Sequence, residues 1–425
     1  MKAVETGVTG TVMSLTGNEA AAWALRRARV NVGVSFPMGP NAEVMETAQR
    51  FIDRGEIDNL QIIFGENEKA AQSIQIGVCR TGVRSMICIN SEGILWAAPE
   101  MNYAANSRLP LLMVTPSRSL EPPSTVGCDH DDVVTQRDKG WLIFYCEDSQ
   151  DVFDTVLQVY KVIEDSSIML PAIVGYDGYE GTSHAPMRVF VPPQEAVDSF
   201  LPPPNFIKPE KDYFNVDWQE RISHLRRQHG LPNQNLMEVA HHQKRAEVNA
   251  VSLIENVGKE YSEAFGSKHT GLIATHHCED AEVILVSMGV IYPDTKFVVN
   301  ALRAQGVKVG CLKLRALRPF PGRAVSEAVR NAKLVITLDR NRVAAIYDEM
   351  KSALYTHLVN RRAAFVPMII GKVVSMGGAT FALRHIGHVV DEGFEVVRSG
   401  KIEKDLSWYP IKGIEFDPSR DTIGE

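Results

Sequence analysis

The sequence has no uninterrupted apolar stretch of the ~18 residues that would suggest a membrane-spanning helix. It also has no dense block of lysine and arginine across its 425 residues. The first absence argues against a membrane span. The second argues against a nucleic-acid partner, because phosphate binding needs a concentrated basic surface. A formal net charge of −7 and a pI of about 6.0 point the same way. Cysteine is sparse and scattered: Cys79, Cys88, Cys128, Cys146, Cys278 and Cys311 form no CxxC pair. That spacing disfavours a structural zinc site, and it disfavours an iron–sulfur cluster held within this chain. Buried free thiols in a reducing cytoplasm fit better. The first residues lack the apolar core and small-residue cleavage site of a secretory signal, so a cytoplasmic protein is expected.

Familiar nucleotide signatures are missing too. There is no GxxxxGK[ST] loop and no GxGxxG following a strand. "YDGY" (Tyr176 to Tyr179) superficially resembles the start of a thiamine diphosphate/magnesium motif, which needs an Asn about two dozen residues later to complete the metal's oxygen shell. Asn205 has roughly that separation but sits in the proline-rich "PPPNF". The match is rejected.

What is present is a globular composition, 44% hydrophobic and 23% charged, in a chain long enough for two or three domains. Apolar runs alternate with amphipathic stretches: "VNVGVSF", "LQIIF", "VRSMICIN", "LPLLMVT", "GWLIFYC" and "LPAIVGY" read as strands with helices between them. This pattern predicts a parallel sheet covered by helices on both faces. From about Arg188 the chain becomes proline-rich and weakly periodic, which suits a surface linker. Two polar helical stretches, residues 216–230 and 236–266, are expected to bridge two domains. A second α/β unit starts near residue 271, with "AEVILVSMG", "VKVGCLKLR", "KLVITLDR" and "AAFVPMII" as buried strands. The expected division is residues 1–190, 191–270 and 271–425.

Within this frame a few residues are candidates for chemistry. "FGENEKAAQ" places Glu68 in the first turn of a helix, close to the end of a strand. A first-turn carboxylate offsets the helix dipole, but turns of this kind also host ligand sites. Arg118 follows the strand "LLMVT", where a guanidinium suits a carboxylate; local pairing with Glu121 competes with that reading. "CDHDD" (Cys128 to Asp132) has the donors for a divalent metal, though turn and capping duty accounts for them more simply. The adjacent pairs His241–His242 and His276–His277 make poor metal ligands.

These segments together resemble one family. "GNEAAAWALRRARVNVGVSFPMGPNAEV", "GENEKAA", "INSEGILW", "SRSLEPPSTVGCDHDDVVTQRDKGW", "HHCEDAEVILVSMG", "GVKVGCLKLRALRPFP" and "LVITLDRN" are similar, in order, to blocks of the alpha subunit of 2-oxoacid:ferredoxin oxidoreductases, the group of pyruvate:ferredoxin oxidoreductase. The resemblance implies an α/β fold with two open parallel-sheet domains. The first would be a pyrimidine-type thiamine diphosphate-binding domain, and the second a transketolase C-terminal-like domain. It implies that thiamine diphosphate is shared with a beta-type subunit that holds Mg2+ and a [4Fe–4S] cluster. Gamma- and delta-type subunits, ferredoxin or another acceptor, and coenzyme A as co-substrate complete the implied system. Glu68 falls on the family's cofactor glutamate, and Pro37, Ser91 and Gly93 lie in the blocks that contact the cofactor. Arg118 falls on the arginine that holds the 2-oxoacid carboxylate. Gly39 stands where a substrate-facing Thr is usual, beside the apolar Phe36 and Met38. That substitution leads us to expect extra space and a 2-oxoacid bulkier than pyruvate, aromatic such as phenylglyoxylate, with branched-chain or indole-type acids, and pyruvate itself, as the alternatives. Glu92 in place of Gln and Cys128 in place of Gly are further departures. A non-catalytic scaffolding paralogue is the competing reading, with a self-contained transketolase-type enzyme behind it.

Overall fold

Short β-branched runs bounded by turn residues become strands, and the amphipathic segments between them become helices. The computed structural model describes residues 9–121, 125–179, 181–204, 228 and 235–409. The elements of the first part are β1 (Thr11–Leu15), α1 (Gly17–Arg27), β2 (Val32–Ser35), α2 (Ala42–Asp53), β3 (Gln61–Phe64), α3 (Glu68–Cys79), β4 (Ser85–Cys88), α4 (Glu92–Trp96), α5 (Ala98–Asn106) and β5 (Leu112–Ser117). They continue with α6 (Asp131–Val134), β6 (Leu142–Cys146), α7 (Ser149–Ile163), β7 (Ala172–Asp177), β8 (Met187–Val191), α8 (Gln194–Phe200) and α9 (Asn235–Phe265). The second part has β9 (Ile273–His276), β10 (Val283–Ser287), α10 (Ile291–Ala304), β11 (Val309–Leu314), β12 (Ala316–Arg318) and α11 (Gly322–Val329). It closes with β13 (Leu334–Asp339), α12 (Ala345–Leu354), β14 (Met368–Val373), α13 (Leu383–Ser399) and β15 (Leu406–Trp408).

The first sheet has seven strands in the order β12-β6-β7-β5-β4-β2-β3. All neighbours are parallel except β12, which runs antiparallel to β6. The second has six strands, β15-β14-β13-β10-β11-β9, parallel except for β9 against β11. Central strands such as "LIFYC", "AIVGYD", "VILVS" and "LVITLD" are buried along their whole length, as strands covered on both faces must be. The expected α/β class with two parallel sheets is therefore present. Each sheet carries one antiparallel edge strand, and β12 comes from the second half of the chain to close the edge of the first sheet.

Chain order reverses beside β2: β3 lies on one side of it and β4 on the other. The loops leaving β2 and β4 thus diverge at the carboxyl ends of adjacent strands. A crevice at such a switch point is where open α/β sheets bind ligands.

Three stretches differ from the reading of the sequence. The glycine-bearing start forms β1, paired antiparallel with β8 so that Thr11 faces Val191. Both strands come from segments read as irregular; each becomes a strand because the other supplies its ladder. Residues 194–200, read as linker, form α8, which buries Val197 and Phe200. Helix α9, read as a polar helix bridging two domains, buries Ala246, Ala250, Ile254, Val257 and Tyr261 in the core it shares with α7. The 216–230 helix, apart from Gln228, and Asn205 lie outside the described residues. All six cysteines are buried and unpaired.

Candidate active site

Asn67 has an extended backbone, and its side chain accepts from the Ala70 amide at 2.9 Å. This cap starts α3 and makes Glu68 its first residue. Glu68 is only 5% exposed. Its side chain does not turn outward; it lies across the loop after β4, where a Cβ on Gly93 would stand 2.4 Å from Glu68 Cγ and 2.5 Å from Oε1. Gly93 is thus the gap the glutamate fills. Among the described residues, none gives this carboxylate a hydrogen bond or an ion pair. A carboxylate on a largely buried side chain with no protein partner is free to take one from a ligand.

The same loop carries Ser91, whose φ of 52° is in the left-handed region that non-glycine residues rarely occupy. Such conformations persist where surrounding contacts impose them. Ser91 Oγ lies 2.6 Å from Glu92 Oε2 and 2.9 Å from the Ser119 carbonyl. Glu92 also accepts from the Glu121 amide. Although burial opposes it, these hydrogen bonds and the nearby Arg118 hold the Glu92 carboxyl below its ordinary value.

Arg118 leaves the end of β5. Its Nε donates to the Thr125 carbonyl at 3.0 Å, Nη1 to the Gly39 carbonyl at 3.4 Å, and Nη2 pairs with Glu121 at 3.0 Å. The local pairing with Glu121 is present, and the same guanidinium also reaches the loop after β2.

Phe36 and Met38 are half-buried and Pro37 is exposed, all in the loop with Gly39. The space expected at Gly39 is not there. A Cβ on Gly39 would lie 2.2 Å from the hydroxyl of Tyr179, so the volume freed by the missing side chain is taken by a phenol from the end of β7. Phenylglyoxylate loses the ground on which it was expected.

Asp132, the last residue of "CDHDD", has a role that neither the metal nor the turn reading of that stretch foresaw. It is fully buried, and its Oδ2 accepts from the amides of Ser91 at 3.1 Å and Arg118 at 3.0 Å. One carboxylate oxygen thus ties the β4 loop to the β5 loop. Burial pushes this carboxyl up to about 7, although the Arg118 and Ser91 amides oppose the shift. The sequence placed it within "CDHDD" without showing this role, since its partners are backbone amides distant along the chain. Its neighbours do the turn duty expected of "CDHDD": Asp129 Oδ1 accepts from the Asp131 amide at 3.1 Å, and Asp131 pairs with Arg342 at 2.6 Å. Behind them Asp177, the last residue of β7, meets His130 at 3.1 Å and pairs with Arg340. Burial opposes it, yet the neighbouring His130 and Arg340 hold its carboxyl far below the ordinary range.

Glu147, Asp148 and His269 also converge, within 4.8 Å, but at the start of α7. There Lys313 lies 3.5 Å from Glu147 and 2.6 Å from Asp151. An ammonium already supplies the positive charge, so these groups form an ion network.

A buried, unpartnered acid and an arginine fork at the switch point of a parallel sheet define a ligand-binding α/β enzyme domain. Known proteins that resemble the chain narrow this class. The family described as "Pyruvate flavodoxin/ferredoxin oxidoreductase, thiamine diP-bdg" matches residues 23–259, and "Pyruvate:ferredoxin oxidoreductase core domain II" matches residues 281–386. Ketoisovalerate oxidoreductase subunit VorA of Pyrococcus horikoshii is 33% identical over 402 residues, which cover 94% of this chain and 98% of that protein. Pyruvate synthase subunit PorA of Methanosarcina barkeri is 33% identical over 397 residues, covering 90% and 93%. The solved structure of the 2-oxoglutarate:ferredoxin oxidoreductase from Magnetococcus marinus, with 2-oxoglutarate, coenzyme A and succinyl-CoA bound, shares the fold at a TM-score of 0.67 and 15% identity. The match covers 90% of this chain and 65% of that one. The chain belongs to the pyruvate:ferredoxin oxidoreductase family, as an alpha-type subunit of a 2-oxoacid:ferredoxin oxidoreductase.

Proposed function

We propose that this chain contributes the pyrimidine-side half of a thiamine diphosphate site in a complex that oxidatively decarboxylates a 2-oxoacid. The carbon–carbon bond to the carboxylate breaks and carbon dioxide leaves. The acyl group passes to the sulfur of coenzyme A, and two electrons leave singly to an acceptor such as ferredoxin. The observation that carries this reading is the Glu68 carboxylate, buried against Gly93 with no partner among the described residues.

The residues fit the cofactor. Glu68 would accept a hydrogen bond from a ring nitrogen of the aminopyrimidine, and Gly93 leaves the room that lets the glutamate lie across this loop. Thiamine diphosphate, when bound, supplies the nucleophilic carbon for which these side chains only provide binding and orientation. Glu68 holds and returns a proton at that ring nitrogen, which is general acid–base work relayed through a hydrogen bond. Arg118 orients the substrate carboxylate and offsets its charge before it is lost. Pro37, Phe36 and Met38 would form the apolar wall beside them. We assign the diphosphate, its Mg2+ and the [4Fe–4S] clusters to beta-, gamma- and delta-type partner subunits, on the family resemblance.

For the substrate we propose a small or branched aliphatic 2-oxoacid. Tyr179 occupies the volume that would have favoured an aromatic one, and the relatives above are named for ketoisovalerate and pyruvate. The test is the purified complex under exclusion of oxygen, assayed with a panel of 2-oxoacids, a viologen dye and coenzyme A. Glu68→Gln should lower turnover by about a hundredfold or more, in the range of a lost general acid–base group. Undiminished turnover would favour the scaffolding paralogue instead.

A further inference from the structure

Tyr179 ends the "YDGY" stretch, which the rejected metal motif left without a role. Gly178, just before it, donates its amide to the Ser117 carbonyl at 3.1 Å. A Cβ on Gly178 would stand 2.1 Å from that oxygen and 3.0 Å from Pro40 Cγ. The chain leaving β7 is therefore pressed between the loops of β5 and β2, where only a glycine passes. Tyr179 then adopts φ of 38°, a left-handed conformation that a tyrosine takes only when its surroundings impose it.

The surroundings that impose it are visible. The Tyr179 ring stacks on His184 with centroids 5.5 Å apart and planes 8° from parallel. His184 is held in turn by the Ser183 hydroxyl, 2.7 Å from Nδ1, and by Glu43, 3.7 Å from Nε2. Glu43 also accepts from Asn18 at 3.1 Å. This stack aims the phenol across the loop after β2, so that its oxygen ends 2.2 Å from where a Gly39 Cβ would be. The carbonyl of the same glycine accepts from Arg118 Nη1. Phenol and guanidinium thus flank Gly39, and among the described residues the phenol oxygen has no hydrogen-bond partner.

We infer that Tyr179 recognises the 2-oxoacid beside Arg118, donating its hydroxyl to a substrate oxygen while its ring limits the size of the substrate side chain. This rests on the reading of the site given above. A 2-oxoacid presents only acceptors, two carboxylate oxygens and one keto oxygen. The arginine fork meets the carboxylate geometrically, and the phenol supplies a further donor. The ring closes the space that Gly39 leaves, so selection by size falls to position 179.

The test uses the assembled complex and three variants. Tyr179→Phe should lower kcat/KM for the preferred 2-oxoacid about tenfold, the worth of one hydrogen bond, with the thiamine diphosphate affinity unchanged. Tyr179→Ala should raise the kcat/KM ratio of phenylglyoxylate to pyruvate about tenfold or more, as opening an apolar pocket does. Gly39→Ser, whose side chain would collide with the phenol, should lose activity, and adding Tyr179→Ala to it should recover at least tenfold by returning a hydroxyl to the vacated place. Unchanged kinetics in Tyr179→Phe, an unmoved substrate ratio in Tyr179→Ala, or a double variant no better than Gly39→Ser would each overturn the inference. A parent complex that turns over no 2-oxoacid would overturn the underlying reading as well, which separates the two failures.

Discussion

Glu68 shows how much a single position can carry. A first-turn glutamate is ordinarily a dipole ornament, and its sequence context does not separate that role from a ligand contact. Burial separates them, because an exposed carboxylate facing the dipole needs no further partner while a buried one does. The packing around it makes a specific demand on Gly93. Gly93→Ala would put a methyl 2.4 Å from Glu68 Cγ, and that crowding has to be relieved by moving the glutamate or the loop. Overpacking of this kind costs about 1–3 kcal/mol. The expected result is thiamine diphosphate binding weakened roughly tenfold to a hundredfold, measured by titrating the cofactor into apo-complex. An unaltered dissociation constant would mean that Glu68 does not face the cofactor.

At the scale of elements, the site depends on loops from different strands holding one register, and Asp132 sets it. Its Oδ2 takes the Ser91 and Arg118 amides while Oδ1 takes the Val133 amide at 2.8 Å. An asparagine cannot serve both sides, since its NH2 would face an amide hydrogen wherever it points. One buried donor left unpaired costs about 1–3 kcal/mol. Asp132→Asn should therefore lower kcat/KM by about tenfold or more. The wild-type carboxyl, raised from 3.8 to about 7, also makes a signed prediction. Its stabilisation is complete below the ordinary value and is lost as pH rises through about 7. The stability of the wild-type chain relative to Asp132→Asn should thus fall between roughly pH 4 and 7 and level off above, as read from denaturation midpoints. The same elements show what the sequence could reveal. Strands such as "LIFYC" and "VILVS", buried on both faces, announce themselves by composition, and the helices between them by period. Strands β1 and β8 do not, because each is short and becomes a strand only through the other. Glu68, Arg118 and Gly39 were reachable through motif blocks. Asp132 lies in such a block too, but neither its role nor that of Tyr179 shows there, since what defines them is an amide or a glycine brought near by folding.

At the scale of the whole molecule, one of the contacts joining its two halves is where α7 meets the second sheet. Asp151 of α7 receives Lys313 at 2.6 Å and Arg315 at 3.3 Å, both from the β11–β12 stretch. His269, on the approach to β9, lies 3.3 Å from Glu147 and 3.7 Å from Asp148. Burial favours the neutral imidazole, but the carboxylates of Asp151, Glu147 and Asp148 outweigh it and raise His269 to about 9. Because this is a base with a raised value, the stabilisation is complete below its ordinary 6.5 and disappears as pH rises through about 9. Replacing the imidazole tests the arrangement directly. His269→Gln should melt about 2–4 °C below the wild-type chain near pH 6.5 for each kcal/mol that the charged ring contributes. The gap should close above about pH 9, where the wild-type ring is itself neutral. A gap that stays constant from pH 6 to 10 would mean that His269 acts by packing alone. In that case the electrostatic part of this contact would come from Asp151 with Lys313 and Arg315.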